Sequence, residues 1–369
     1  MVDTQKFYDY LVANQMDFFV GVPDSLLKNL CSCITENSSK KQNIITANEG
    51  NAIAMASGYH VASGKYGVVY MQNSGIGNTV NPLLSLVDKD VYKIPMLLII
   101  GWRGEPGVKD EPQHKMQGKV TLDLLEAMNV KYMVLEDDYE KQVDECVKYM
   151  KEENQPVALV VRKDTFASYR GVKTTSDYLL TREESLEIIL SNLGDDDYVV
   201  STTGKTSREI FELREMKNEG HGNDFLTVGS MGHTASIALG MSIGTDKKIY
   251  TIDGDGSFLM HMGGFPIICS VADENFKYIL INNGSHESVG GQPTVAFDID
   301  VEGILTASGF KNVYSAKTVD EIEQGMKKLN NEKLSALVIY TKQGSRDDLG
   351  RPKTTPEENK LDMMRKISK

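Results

Sequence analysis

Residues 248–292 constrain the possible fold more than any other part of the sequence. This segment predicts a short buried strand at 249–252, a polar break at 254–257, a helix, and a second buried strand at 278–281 that ends in two asparagines. Both strands therefore end in polar residues. In open α/β sheets, ligands bind at the carboxyl ends of the strands, so this edge is the predicted ligand site.

The polar break has the chemistry of a diphosphate and metal site. Gly254 and Gly256 allow backbone amides to approach a diphosphate closely, and the start of the following helix favours negative charge. Asp255 and Asn283 carry the hard oxygen donors that Mg²⁺ prefers, and the metal would neutralise the diphosphate. Because glycine-aspartate-glycine triplets also occur in ordinary turns, the triplet alone identifies no function.

The whole chain predicts an α/β fold with two doubly wound parallel-sheet domains, and 369 residues suffice for two substantial cores. Its apolar runs are continuous rather than alternating, as in a parallel sheet that is covered on both faces. Besides 249–252 (or 248–252) and 278–281, the predicted strands are 18–21, 67–71, 96–101, 157–161, 198–201, 225–228 and 336–340. The predicted boundaries are 1–170 for a first domain, 171–180 for a linker, 181–342 for a second domain beginning with a helix at 183–193, and 343–369 for a polar tail.

Composition excludes several classes of function. A net charge of −12 and a pI near 5.1 argue against a nucleic-acid or anionic membrane partner. No apolar run approaches the roughly 18 to 20 residues that span a bilayer, and the amino terminus reads as a helix rather than a signal peptide. The four cysteines lack zinc-site spacing and indicate reduced thiols, so we expect a cytoplasmic protein.

A dinucleotide-dependent enzyme is the main rival for a doubly wound chain. Residues 73–80, NSGIGNTV, follow a predicted strand, but Val80 stands where the third glycine of the dinucleotide fingerprint belongs. Residues 229–232, GSMG, lack the middle glycine. The fingerprint therefore fails at both places.

Twenty-five residues separate Gly256 from Asn282, and a predicted strand leads into each half of this segment. The combination resembles the signature of thiamin diphosphate (ThDP) enzymes. The resemblance implies ThDP and Mg²⁺ as cofactors, with a pyrimidine-binding domain followed by a diphosphate-binding domain. It implies metal ligation by Asp255, Asn283 and the backbone carbonyl of Ser285. The implied cofactor-binding residues are Thr203, Gly204, Gly229, Ser230, Gly254, Asp255, Gly256, Ser257 and Asn283.

Two further positions match the same family. Glu49, in the run ANEGNA, resembles the glutamate that hydrogen-bonds the aminopyrimidine ring of ThDP, where proton sharing helps to activate the thiazolium carbon. Met231 resembles the bulky apolar side chain that holds the two rings of the cofactor in a bent shape. The alternatives are a glutamate stabilised by a helix dipole and a methionine of the core.

Finer matches at 21–28, 110–114, 286–292 and 344–352 resemble phosphonopyruvate decarboxylases, which lack the middle domain of larger ThDP decarboxylases. The resemblance implies decarboxylation of 3-phosphonopyruvate to phosphonoacetaldehyde, on the route to 2-aminoethylphosphonate. The implied enzyme is a homo-oligomer, at least a dimer, with active sites at subunit interfaces. Larger decarboxylases often carry adjacent histidines where this chain has Gln113 and His114. The candidate residues for proton transfer are Asp24, His114 and His286.

The substrate would carry two anionic groups, and the protein has a net charge of −12. Cationic side chains at the site must therefore bind the substrate. Arginine suits a tetrahedral oxyanion through its forked donors, and lysine offers a point charge. The candidates are Lys205, Lys28, Arg103, Arg346 and Arg351, and the tail arginines either close over the substrate or remain solvated. Three alternatives stay open: a sulfopyruvate decarboxylase, a carboligase of the acetolactate type, and a noncatalytic ThDP-binding subunit.

Overall fold

The structure, a computed structural model, describes residues 1–170 and 176–368. These residues divide into two compact units, one formed by 1–170 with 288–292 and the other by 176–287 with 293–368. Half of the predicted linker, 171–175, lies outside the described residues. Each unit contains one sheet of six parallel strands. The expected fold class, two parallel α/β sheets, is confirmed.

The sheet of the first unit has the strand order β2-β1-β3-β4-β6-β5. Its strands are β1 (Phe18–Gly21), β2 (Asn43–Ile45), β3 (Gly67–Gln72), β4 (Met96–Gly101), β5 (Lys131–Val134) and β6 (Val157–Val161). Its helices are α1 (Thr4–Ala13), α2 (Lys28–Asn37), α3 (Glu49–Ser63), α4 (Ile76–Pro82), α5 (Pro112–Ala127) and α6 (Tyr139–Glu153). A 3-10 turn (Asn73–Gly75) precedes α4, and a π-helical turn (Leu83–Val87) follows it.

The sheet of the second unit has the order β11-β12-β10-β9-β7-β8. Its strands are β7 (Tyr198–Ser201), β8 (Asp224–Leu226), β9 (Ile249–Gly254), β10 (Phe276–Asn282), β11 (Asn312–Ala316) and β12 (Ser335–Tyr340). Its helices are α7 (Arg182–Ser191), α8 (Lys205–Met216), α9 (Thr234–Ile243), α10 (Asp255–Met260), α11 (Phe265–Val271), α12 (Val301–Ser308), α13 (Val319–Asn331) and α14 (Pro356–Ile367). Short 3-10 turns lie at Met262–Gly264 and Glu287–Val289.

The two sheets share one topology. When strands are numbered within each unit, both sheets have the order 2-1-3-4-6-5. In each unit the first and third strands are neighbours. The first strand is followed in the chain by a strand on one side of this pair, and the third strand by a strand on the other side. This arrangement is a topological switch point, where a crevice opens at the carboxyl ends of the strands. The strand order therefore places one such switch point in each unit.

Each sheet is buried on both faces, which explains the continuous apolar runs. In β4, Leu97 and Ile99 pack into one core cluster, whereas Leu98 and Ile100 pack into the cluster on the other face. The same alternation occurs in the second unit along β10 and β12. Successive side chains of a strand point to opposite faces, so both sets must be apolar when helices cover both sides.

The sequence analysis missed strands β2, β5 and β11 and placed β8 too late, at 225–228. These four strands are the sheet edges. The segment 343–369, which the sequence analysis described only as a polar tail, contains α14. A capping box in which Thr355 and Glu358 bond each other's backbone amides begins this helix. Among the described residues, no helix has the length and apolar character to cross a membrane.

Candidate active site

Glu49 is held in a defined position in the first unit. It begins α3, and Asn48 caps this helix by accepting a hydrogen bond from the Asn51 amide at 3.0 Å. The Glu49 side chain is buried, and its Oε2 accepts a hydrogen bond from Asn78 Nδ2 at 2.7 Å. Burial raises the pKa of Glu49, although the Asn78 contact opposes the rise. Such a carboxyl can share a proton with a ring nitrogen.

Asp24 lies enclosed beyond the end of β1. Its Oδ1 accepts a hydrogen bond of 2.6 Å from Nε2 of Gln72, the last residue of β3, and its Oδ2 accepts one of 3.0 Å from the Leu26 amide. The side chain is fully buried. Burial raises the pKa of Asp24 despite these hydrogen bonds. Asp24 therefore keeps its proton to a higher pH than a solvated aspartate does.

Arg103, which follows β4, is engaged by the protein itself. Its Nε and Nη2 donate to the two carboxylate oxygens of Asp110, the former at 2.8 Å, and its Nη1 donates to Ser25 Oγ at 2.8 Å. Burial alone would raise the pKa of Asp110, but Arg103 brings it well below its usual range. Lys28, the other candidate cation of this unit, is exposed at the start of α2.

His114 lies in the first turn of α5 with no partner for one ring nitrogen. The side chain is buried, and Nδ1 finds no hydrogen-bond partner among the described residues; the same holds for Oε1 of its neighbour Gln113. Burial and the nearby positive charge of Arg103 lower the pKa of His114 to about 4. The imidazole is therefore uncharged at neutral pH, and its unpartnered nitrogen is available for a hydrogen bond.

The proposed metal ligands lie together in the second unit, at the adjacent ends of β9 and β10. Asp255 is buried and accepts a hydrogen bond from Thr294 Oγ1. Burial raises the pKa of Asp255 to about 6, whereas the hydrogen bonds from Thr294 and from the Asn283 amide favour its charged form. Asn283 Oδ1 accepts from the Ser285 amide at 3.1 Å. Ser285 Oγ is buried and has no partner in the described part of the chain.

Met231, Gly256 and His286 meet in this unit. A β-carbon at Gly256 would lie 3.0 Å from the His286 ring and 3.1 Å from Met231 Cε, so only glycine fits there without displacing them. Met231 stands between two left-handed residues, Ser230 (φ +56°) and Gly232 (φ +86°). A left-handed serine costs conformational energy, and such strain concentrates at functional sites. Burial lowers the pKa of His286 to about 4, so this histidine is also neutral.

The remaining candidate cofactor contacts line the neighbouring strand ends. Thr203 and Gly204 connect β7 to α8, and Thr203 Oγ1 donates to the Val228 carbonyl at 2.8 Å. Ser257 Oγ accepts a hydrogen bond from the Gly232 amide at 3.1 Å, which ties α10 to the loop that carries Met231. In the same stretch, Gly229 and Gly254 are half-buried and Ser230 is exposed.

A buried network of charges, which the sequence analysis missed, borders the metal-ligand candidates. Glu287 accepts hydrogen bonds from Arg182 Nη1 (2.7 Å), Lys205 Nζ (2.9 Å) and Asn283 Nδ2 (2.9 Å). Arg182 also binds both carboxylate oxygens of Glu209, at 2.6 and 2.7 Å. Burial alone would raise the pKa of Glu287, but Arg182 and Lys205 lower it overall. Lys205 therefore lies at the carboxyl ends of the strands in an ion pair with Glu287.

Arg346 of the tail is engaged by carboxylates on α7, on α8 and in the tail itself. Arg346 binds Glu183 at 2.9 Å, Asp348 at 3.0 Å, and Glu212. Each of its nitrogens therefore already faces a carboxylate. Arg351 is exposed.

A fold of two parallel α/β units with these strand-edge residues is that of a ThDP enzyme, and comparison with known proteins shows the family. The family model "Thiamine pyrophosphate enzyme, N-terminal TPP binding domain" matches residues 3–133, and "Thiamine pyrophosphate enzyme, C-terminal TPP binding domain" matches residues 202–340. The chain belongs to the thiamine pyrophosphate (thiamin diphosphate) enzymes and is a decarboxylase of that family. The ThDP cofactor predicted from the sequence is confirmed.

Curated relatives align along nearly the whole chain. A phosphonopyruvate decarboxylase of Streptomyces viridochromogenes is 32% identical, over 92% of this chain and 88% of its own. A phosphonopyruvate decarboxylase of Streptomyces hygroscopicus is also 32% identical, over 92% and 87%. A sulfopyruvate decarboxylase of Methanosarcina acetivorans is 26% identical, over 96% and 95%.

The residues present fit ThDP. Glu49 offers a buried carboxyl with a raised pKa for the pyrimidine, and the second unit offers a glycine-lined edge with an unpaired buried hydroxyl at Ser285. Within residues 1–170 and 176–368 no group of three or more histidines, cysteines, aspartates or glutamates could hold a metal. Any metal would therefore depend on mixed oxygen donors and on the diphosphate itself, which is how Mg²⁺ is usually bound.

Proposed function

We propose that this chain decarboxylates 3-phosphonopyruvate to phosphonoacetaldehyde and CO₂, a step toward 2-aminoethylphosphonate, with ThDP and Mg²⁺. The observation that carries the proposal is the 32% identity to phosphonopyruvate decarboxylases over 92% of the chain. The specific matches at 21–28, 110–114 and 286–292 lie outside the general ThDP motifs and support the same substrate.

Mg²⁺ would be held by Asp255, Asn283 and the backbone carbonyl of Ser285, with diphosphate and water oxygens completing the shell. Asp255 is the single charged ligand of this set. Burial raises the pKa of this carboxyl to about 6. A divalent cation would remove this penalty by stabilising the ionised form.

Bound ThDP supplies a nucleophilic carbon and a sink for the electron pair left by departing CO₂. Glu49 would hold a proton at the pyrimidine nitrogen, because burial raises its pKa and Asn78 fixes its carboxyl. Met231 would support the cofactor from the side of Gly256.

The aldehyde product needs one proton at the carbon from which CO₂ leaves. Burial lowers the pKa of His114 and of His286 to about 4, so both imidazoles are neutral and neither brings an imidazolium proton. Burial raises the pKa of Asp24 instead. We therefore assign proton donation to Asp24 and hydrogen bonding to the two histidines.

Lys205 is our candidate for the terminal anion of the substrate. It is 25% exposed at the carboxyl end of β7, and only one of the three donors of its ammonium group faces Glu287. Arg103 is a weaker candidate because Asp110 and Ser25 use its guanidinium. Lys28, Arg351 and Arg346 are not included, since the first two are exposed at the surface and the last is bound by three carboxylates.

A sulfopyruvate decarboxylase is the second candidate, because a relative of that name aligns over 96% of the chain. The two substrates differ in the terminal anion alone. CO₂ release from phosphonopyruvate, sulfopyruvate and pyruvate, each with ThDP and Mg²⁺, separates the functions. We expect the highest kcat/KM with phosphonopyruvate; a higher value with sulfopyruvate would reverse the assignment, and turnover of none would reject both.

We also propose that the active enzyme is a homo-oligomer, at least a dimer. Glu49 and the diphosphate-edge residues belong to different units of the chain, and the family resemblance implies that subunits share their sites. Light scattering of the holoenzyme should give a mass of at least twice 40.9 kDa. A monomeric, fully active enzyme would contradict this proposal.

A further inference from the structure

We propose that Glu287 is a positioning residue for the metal site, which it serves by fixing the side-chain amide of Asn283. The inference rests on the proposed function, because it takes Asn283 as a Mg²⁺ ligand. Glu287 lies four residues after Asn283, and the chain between them folds back so that the two side chains meet at 2.9 Å.

The contact decides which way the amide points. A carboxylate accepts hydrogen bonds and donates none, so the group of Asn283 that faces Glu287 must be its NH₂. Oδ1 then points elsewhere, toward the Ser285 amide, from which it accepts a hydrogen bond at 3.1 Å. A carbonyl oxygen has two lone pairs, so Oδ1 can still bind a cation. Glu287 thus keeps the metal-binding atom in place and the amide nitrogen away from the metal.

The ion pairs around Glu287 keep its carboxylate ionised and fix its position. Its side chain is 10% exposed and receives two cations, Arg182 Nη1 on one oxygen and Lys205 Nζ on the other. Arg182 is itself fixed by hydrogen bonds to both carboxylate oxygens of Glu209, whose side chain is 1% exposed. Two cations and two carboxylates balance in charge. Partners that orient metal ligands in this way commonly change metal affinity by about 10- to 100-fold when removed.

Lys205, which follows β7, donates a hydrogen bond to the same Glu287 carboxylate. It begins α8 directly after Thr203 and Gly204, whereas Asn283 follows β10. The Glu287 carboxylate therefore holds in place both Asn283, a candidate metal ligand, and Lys205, the cation that we assign to the substrate. Both carboxylate oxygens of Glu209 bind Arg182 instead.

This difference supplies a matched pair of variants. Glu287→Gln leaves one acceptor oxygen for the three donors that now share two, so Asn283 must compete with Arg182 and Lys205 for it. Glu209→Gln removes the same charge from the same network one residue farther away. ThDP binding to each full-length protein is measured by equilibrium dialysis across a Mg²⁺ titration, and thermal unfolding reports any general damage. We expect Glu287→Gln to raise the Mg²⁺ concentration for half-maximal ThDP binding by about tenfold or more. Glu209→Gln should lower the unfolding temperature with less than about a twofold change in the Mg²⁺ requirement.

A reversed pair tests the orientation itself. Asn283→Asp alone places two carboxylates face to face, but Asn283→Asp with Glu287→Gln lets a glutamine NH₂ donate to the new carboxylate. The double variant should therefore need less Mg²⁺ than the additive effect of the single changes implies. Additive single effects, or an unshifted Mg²⁺ requirement in Glu287→Gln, would overturn the role of Glu287. ThDP binding by the unmodified protein without any Mg²⁺ would instead reject the metal assignment, and this inference with it.

Discussion

Gly75 lies so close to Glu49 that a β-carbon on Gly75 would stand 2.3 Å from Glu49 Oε1 and 2.5 Å from Cγ and Cδ. The glycine ends the 3-10 turn Asn73–Gly75. In the sequence it belongs to a run that fails as a dinucleotide fingerprint. Its place in the structure gives it a different role, because it provides the room that the carboxyl of Glu49 occupies.

Replacing Gly75 with alanine should displace the Glu49 side chain as a whole, since the clash involves three of its atoms. We expect kcat to fall by about a hundredfold, the scale of positioned acid-base catalysis, while the protein stays folded. Gly77→Ala is the matched control, because nothing lies within 4 Å of a β-carbon there. Steady-state decarboxylation of the two variants decides the matter, and equal rates would reject the Gly75–Glu49 relationship.

Glu49→Gln preserves shape and hydrogen bonding but removes the ability to share a proton. We expect near-normal folding and at least about a hundredfold loss of kcat. Hydrogen-deuterium exchange at the thiazolium carbon of bound ThDP should slow in parallel, and NMR of quenched samples measures it. Exchange at the wild-type rate would show that Glu49 does not activate the cofactor.

Asp255→Ala should weaken ThDP retention sharply, because it removes the one charged ligand proposed for Mg²⁺. Retention should recover in part at high Mg²⁺, since the other oxygen donors remain. Gel filtration followed by assay of bound ThDP measures the effect, with Asp273→Ala at an exposed position of the same unit as the control. Undiminished retention in Asp255→Ala would remove this residue from the metal site.

His114 should make the cofactor-free protein less stable in mild acid. Its pKa is lowered to about 4 in the folded state and lies near 6.5 in the unfolded chain, so between these pH values the unfolded state binds more protons. The contribution of neutral His114 to the free energy of unfolding is fully present above about pH 6.5. It falls by up to about 3 kcal/mol as the pH drops toward 4. Urea unfolding at several pH values should show a shallower decline for His114→Gln than for the wild type. Parallel curves would contradict the buried, neutral state.

The central strands could be predicted from the sequence because burial on both faces leaves a strong signal. β1, β4, β6 and β7 have the predicted bounds, since an uninterrupted apolar run is what a doubly covered strand requires. Edge strands give a weaker signal. β2 and β5 are only partly buried along their length, so polar residues such as Asn43 and Lys131 are tolerated within them.

The strand-edge motifs could be predicted because each is contiguous in the sequence. The partners of those residues could not, because they come from distant positions: Asn78 lies 29 residues from Glu49, and Glu287 lies 105 residues from Arg182. No periodicity in the sequence links such pairs. Glu287 adjoins His286 in a segment that the sequence analysis already noted, but its acceptor role becomes visible only when three donors surround it.

The C-terminal segment is part of the second unit, so its removal should cost stability as well as any local function. Leu349 and Met363 are buried, and Arg208 donates to the carbonyls of Leu349 and Gly350. Truncation after Thr341 would remove all of these contacts together. Loss of turnover in a truncated chain would therefore not distinguish a lid from a structural element.

A single substitution separates the structural contribution. Asn359 of α14 accepts from the Leu226 amide at 3.1 Å and donates to the Asp224 carbonyl at 2.7 Å, so it satisfies the backbone of the edge strand β8. Asn359→Ala leaves both buried groups unpaired and should lower the free energy of unfolding by about 2 to 4 kcal/mol. Lys360→Ala, at an exposed neighbouring position, should change it by less than about 0.5 kcal/mol. Urea unfolding of the two variants makes the comparison, and equal stabilities would mean that α14 does not secure the sheet edge.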